Sequence, residues 1–327
     1  MHLGLGLSDE MSVDEAVKYV KMAEKNGFES VWMPEDYYYR DAVTMLSVLA
    51  TATNNVKLAT GVINPNTRSP PLIAMTTASL NEISNGRVIL GLGPSMRLWL
   101  YELHRERINQ VTAMKECIEI VRALLAGERI VYDGRLFKIH NVKLGLHNVG
   151  RNIPIYLGVM GPKMLHLTGQ MADGVLLTAC ATPAYVKYAI ENIKRGAESA
   201  GKDHSRVDVA GYIMISMSDD PEEAKEVVKK KIAYMVTLPQ FNFILELSDL
   251  TDKASVARIR EAGGKGRLDE AATYVDDELI DALSVTGTVS DCRKKLGRFI
   301  EAGITTPVLL PLGKFENYKT IIKSFKL

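Results

Sequence analysis

"MAEKNGFESVWM", residues 22–33, holds one whole unit of architecture. A helical stretch ends at Asn26-Gly27, and the apolar, β-rich run Ser30-Val31-Trp32-Met33 follows at once. Glycine just past a helix supplies the left-handed residue that closes it, and a strand apolar at successive positions is buried on both faces. The same grammar returns in "LNEISNGRVILGLG" (80–93), "TGQMADGVLLTA" (168–179) and "FIEAGITTPVLLP" (299–311). A helix–strand unit repeated along a chain builds a parallel sheet wrapped by helices.

Working outward, strands are expected near 2–7, 29–33, 57–62, 87–92, 154–158, 174–178, 207–215 and 306–310. Helices are expected near 13–26, 41–53, 71–84, 106–126, 162–171, 183–200, 221–236, 289–302 and 315–325. Ser12 reads as the cap of the first helix, and Thr288 or Ser290 as the cap of the penultimate one. This pattern specifies an α/β fold, a closed (β/α)8 TIM barrel formed as one domain over residues 1–327. A doubly wound sheet is the alternative, but no G-x-G-x-x-G follows the first strand. Two segments fall outside the repeat. Residues 128–148 read as a hairpin around Tyr132-Asp133-Gly134, and 237–285 as an insertion before the last strand. Within the insertion, "GGKGRLDEA" reads as a flexible loop, because no G-K-[ST] makes a phosphate loop of it.

Composition narrows the function. The 327 residues are 46% hydrophobic and 24% charged, ordinary globular usage. A net charge of +1 with no basic block gives no footprint for nucleic acid or an anionic membrane. No apolar run is long enough to span a bilayer, and the first residues lack a leader's charged start. Cys117, Cys180 and Cys292 have no metal-ligand spacing and read as idle thiols in a reducing cytoplasm. His140, His147, His166 and His204 show no metal spacing either, so no metal site is expected. Without a G-x-S-x-G, hydrolysis is not indicated.

In such a barrel the chemistry sits at the C-terminal ends of the strands. Those ends read "WMPEDYYYRD", "GVINPNTRSP", "GLGPSMRLW" and "GVMGPK". Gly61 interrupts an apolar strand, marking a bulge or a close approach to the backbone, and Pro65 ends it. Gly93-Pro94 and Val159-Met160-Gly161, each in a turn before a helix, leave backbone N–H groups suited to an anionic group. A plain βα turn is the other reading of either.

"GFESVWMPED", "TGVINPNTRSP", "ISNGRVILGLGP", "ERIVYDG", "IPIYLGVMGPKMLHLTGQMADGVLL" and "EAGITTPVLLP" together resemble the bacterial luciferase-like superfamily. Within it they are most similar to the coenzyme F420-dependent branch that contains methylenetetrahydromethanopterin reductase. The likeness runs in order from residue 1 to about 310 and weakens across 237–285. It implies a TIM barrel, commonly a homodimer, that passes a hydride between the deazaflavin and a small organic substrate. It implies a cis peptide bond at Gly61-Val62 in a bulge supporting the ring, with Asn64 at the ring's polar edge.

Four positions depart from the family pattern. Glu35-Asp36 replaces an Asp-His pair, Met96 an acid after the strand-four glycines, and Gly6 a glutamate in strand one. Glu35 and Asp36 are therefore the candidate catalytic carboxylates, with Glu35 matching the cofactor-facing acid. Arg68 is a candidate to hold a carboxylate or phosphate, and Tyr37, Tyr38, Tyr39 or His104 to donate a proton. An FMN-dependent monooxygenase, or a flavin-binding protein without catalysis, are the alternative functions.

Overall fold

The computed structural model describes residues 2–104, 108–146 and 152–326. Its strands are β1 Gly4–Gly6, β2 Ser30–Met33, β3 Lys57–Thr60, β4 Val88–Leu92, β5 Ile130–Asp133, β6 Lys138–Val142, β7 Ile155–Gly158, β8 Gly174–Leu177, β9 Asp208–Met217, β10 Val285–Gly287 and β11 Thr306–Pro311. The helices are α1 Val13–Lys25, α2 Ala42–Ala52, α3 Pro70–Ile83, α4 Arg97–Glu102, α5 Gln110–Leu125, α6 Pro162–Met171, α7 Pro183–Ser199, α8 Pro221–Thr237, α9 Asn242–Glu246, α10 Ala254–Gly264, α11 Leu268–Thr273, α12 Asp277–Leu283, α13 Val289–Glu301 and α14 Glu316–Ser324. The fold class is the expected (β/α)8 TIM barrel of parallel strands alternating with helices.

By contact the chain divides into two compact units. One comprises Leu5–Leu176 and Glu191–Asp208. Its parallel strands lie in the order β2-β3-β4-β7-β8, with Ser30 opposite Lys57, Leu58 opposite Val88 and Leu90 opposite Ile155. β2, β4 and β8 are buried at every position, as their unbroken apolar runs require. The β5–β6 hairpin also belongs here and is antiparallel. Buried Glu116 of α5 fastens its turn by accepting the amides of Arg135, Leu136 and Phe137.

The other unit comprises Met1–Gly4, Leu177–Ile190 and Val209–Leu327. In it β9 is flanked by β11 and by β10, a short strand absent from the sequence expectation. β10 pairs only with the end of β9, Val285 opposite Ile215 and Gly287 opposite Met217. Three residues are too few to show a period of two.

Caps fall where the side chains specify them. Ser12 with Glu15, and Thr288 rather than Ser290 with Asp291, form capping boxes on α1 and α13. The closing glycines of three repeats are left-handed, at φ 88° for Gly27, 84° for Gly86 and 116° for Gly303. Gly174 differs: it opens β8, and a Cβ there would fall 2.5 Å from the Tyr156 ring. The loop expected at "GGKGRLDEA" is a correction. Gly263 and Gly264 finish α10 and Leu268 begins α11. Gly263 is small because Thr237 Oγ1 stands 2.1 Å from where its Cβ would be. The helix expected over 106–126 starts at Gln110, capped by Asn109, whose side chain accepts the Thr112 amide.

Candidate cofactor and active site

The ends of β2, β3, β4 and β7 lie side by side in one unit, and the expected site residues cluster there. β3 leaves its ladder after Thr60. The Gly61–Val62 bond is cis, as expected, and the Gly61 amide donates to the Met33 carbonyl at 2.8 Å. Ile63 then rejoins β4, donating to the Gly91 carbonyl and accepting from the Gly93 amide, both at 2.9 Å. Thr60 repairs the gap. Its hydroxyl donates to the Gly91 carbonyl at 2.9 Å and accepts from the Gly91 amide at 2.8 Å. The result is a bulge whose displaced hydrogen bonds are met by a side chain.

Val62 projects into space left by glycines. A Cβ on Gly93 would fall 2.2 Å from Val62 Cγ2, and one on Gly158 2.7 Å from Cγ1. A Cβ on Gly91 would strike the Thr60 carbonyl oxygen at 1.9 Å. Gly93 and Val159 are buried beneath the surface, whereas Gly61, Val62, Pro94, Met160 and Gly161 are part-exposed.

Asn64 lies at the end of the bulge. It is 2% exposed, and its side chain is engaged within the protein. Nδ2 donates to the Pro94 carbonyl at 3.1 Å and Oδ1 accepts the Asn66 amide at 2.8 Å. It therefore ties the end of β3 to the turn after β4.

Glu35 is buried and faces the β3–α3 loop. Arg68 binds it through two donors, Nε to Oε1 at 2.8 Å and Nη2 to Oε2 at 3.1 Å. The same Nη2 pairs with Asp41, which caps α2 by accepting the Thr44 amide at 2.7 Å. Arg68 thus holds a carboxylate, as expected of it, but the carboxylates are the chain's own. The hydrogen bond to Glu35, reinforced by the negative charges of Glu35 and Asp41, raises the Arg68 pKa against the opposing effect of burial. Burial would raise Asp41, but the Thr44 amide and hydroxyl and the guanidinium outweigh it and hold Asp41 below its ordinary 3.8.

Thr67 and Tyr37 join the same loops through a 2.5 Å contact between hydroxyls, and burial raises the Tyr37 pKa. The Tyr37 ring meets Trp99 edge-on at 5.5 Å. Asp36 is half-buried, and its carbonyl accepts the Tyr39 amide. Gly6 is buried in β1, and Met96 stands at the N-cap of α4. Among the described residues no group of His, Cys, Asp or Glu could hold a metal, and all three cysteines are buried and unpaired. His147 lies outside the described residues.

Gly161 caps α6 at φ −78° with Pro162 in the first turn. A Cβ at Gly161 would meet nothing within 4 Å. Open space beside a helix start fits an anionic tail, and a part-exposed bulge fits a flat ring. The residues present therefore fit the implied deazaflavin.

The protein-family model described as luciferase-like monooxygenase matches residues 2–306. The 5,10-methylenetetrahydromethanopterin reductase of Methanolobus tindarius is 37% identical over 306 residues, 93% of this chain and 92% of its own. The enzyme of that name from Archaeoglobus fulgidus is 35% identical over 312 residues, 94% of this chain and 92% of its own. The solved structure of the coenzyme F420 dependent tetrahydromethanopterin reductase of Methanopyrus kandleri matches with a TM-score of 0.91 at 28% identity. That match covers 99% of this chain and 97% of that one.

Proposed function

We propose, for a chain that belongs to the luciferase-like monooxygenase family, that it is a coenzyme F420-dependent oxidoreductase acting on a small organic substrate. The observation that carries this reading is identity of 37% and 35%, over more than nine-tenths of both chains, to methylenetetrahydromethanopterin reductases. The substrate is accordingly of the kind those reductases take. When bound, the deazaflavin supplies a carbon that gives or accepts hydride.

The remaining work falls to this chain. Gly61 and Val62 form the backbone ledge for the ring, and Pro94 borders it. Met160 and Gly161 receive an anionic group of the cofactor on backbone amides. Glu35 contributes a fixed negative charge beside the ledge, and Asp36 handles the proton of the substrate. Residues 1–327 work as one domain, with 237–285 as its insertion. Buried, unpaired cysteines fit a cytoplasmic protein, and among the described residues no helix is long and apolar enough to cross a membrane. The chain pairs as a homodimer through the outer faces of α2 and α3.

Titration of the purified protein with coenzyme F420 and with FMN tests this reading. F420 should bind at least about tenfold more tightly, a difference of ~1.4 kcal/mol. With reduced F420 bound, the absorbance of the oxidised cofactor should then appear on addition of methylenetetrahydromethanopterin, which accepts the hydride. Tighter binding of FMN, or no binding of F420, overturns it.

A further inference from the structure

The loops after β2 and β3 touch through a compact set of polar contacts. Arg68 gives two hydrogen bonds to Glu35 and pairs with Asp41, while Thr67 meets the Tyr37 hydroxyl. Two adjacent residues of one loop thereby hold three residues of the other. The Glu35 side chain is only 7% exposed and that of Arg68 20%. A bidentate guanidinium fixes both the position and the plane of a carboxylate, which a single point charge cannot do. The Ala42 amide approaches Glu35 Oε2 at 3.4 Å, so the start of α2 adds a second positive influence on the same oxygen.

We propose that Arg68 is the positioning residue of this site. It keeps Glu35 an oriented carboxylate beside the Gly61–Val62 ledge and, with Thr67, clamps the β2–α2 loop over it. Arg68 acts through Glu35 and does not touch the ring, so Glu35 works as a standing charge and not as a proton donor. This role rests on the cofactor placement proposed above. Geometry lost at an indirect support is costly, because small displacements at a reacting centre slow turnover severely.

The test uses Arg68→Met and Arg68→Lys in the full chain. Arg68→Met should lower kcat at least about tenfold with a smaller change in KM, because orientation and not substrate contact is lost. Arg68→Lys should fall between it and the parent, since it restores the charge but not the fork. Equal kcat in all three proteins overturns the proposal, as does a lysine variant no better than methionine.

A second measurement needs no cofactor. Hydrogen exchange of peptides covering residues 34–42 should quicken in Arg68→Met, with the barrel strands unchanged. If the parent fails to bind F420 yet this exchange quickens, the clamp stands and the cofactor reading fails. Unchanged exchange sinks the clamp whatever the cofactor does. Should Arg68→Met not fold, Arg68→Lys carries both measurements with the same signs.

Discussion

Gly161 shows what one residue can reveal about a binding surface. Its φ of −78° suits any amino acid, and a Cβ would enter open space, so the fold places no demand for glycine there. Any demand comes from whatever docks against it. Gly161→Val should lower the melting temperature only slightly, through the poorer cap on α6, while weakening F420 binding at least about tenfold, or ~1.4 kcal/mol, in a direct titration. Unchanged affinity would move the anionic group elsewhere. Glu35, Gly61 and Gly161 could be picked from the sequence because each stands at a strand end among Gly and Pro. The partners of Arg68 could not, since 33 and 27 residues separate it from Glu35 and Asp41. Chain order carries no sign of which carboxylate a guanidinium meets. The tie from Asn64 to the Pro94 carbonyl was hidden for the same reason, at a separation of 30 residues.

Between elements, the α2–β3 turn is held from two sides. Arg87, at the start of β4, donates to the carbonyls of Ala50, Thr53, Val56 and Ser84 and to the Thr53 hydroxyl, closing the ends of α2 and α3. Glu24 of α1 accepts the amides of Asn54, Asn55 and Val56 at 2.9, 2.5 and 3.0 Å. Burial would raise the Glu24 pKa, but these three amides and Arg87 outweigh it and hold it below its ordinary 4.5. A folded value under the unfolded one adds stability that is complete above 4.5 and disappears as pH falls through the folded value. Glu24→Gln should therefore cost up to ~1 kcal/mol at pH 7, discounted for solvent screening of so exposed a group, and progressively less as pH falls below 4.5, read from urea midpoints across that range. A cost independent of pH would show that the charge is irrelevant. Long buried strands and capped helices were legible because one apolar run or one Ser, Thr or Gly settles each. The short α9 to α12 were not, since five to eleven residues carry little periodicity and tertiary contacts decide them.

On the scale of the whole molecule, two neighbouring helices present a surface without the usual charge. α2 has no charged residue, and α3 has one, Glu82. Val48, Leu72, Met75 and Ile83 are 37 to 46% exposed. The hydroxyls of Ser47, Thr51, Thr76 and Ser79 donate to carbonyls of their own helices. Such a face is suited to burial against another protein surface, and a second copy is the proposed occupant. Sedimentation should give twice the chain mass of 36.1 kDa for the parent and the single mass for Met75→Asp. A parent that sediments as a monomer refutes the pairing.

Val62 and its glycine socket have an evolutionary consequence. Enlarging Gly93 or Gly158 collides with the valine, and trimming the valine leaves a void in the ledge. Neither change is tolerable first, so a lineage can leave this arrangement only by passing through a damaged ancestor. Exposed positions such as Tyr38 and Tyr39 face no such barrier. Descendants of this protein can diversify what they act upon while inheriting the ledge intact.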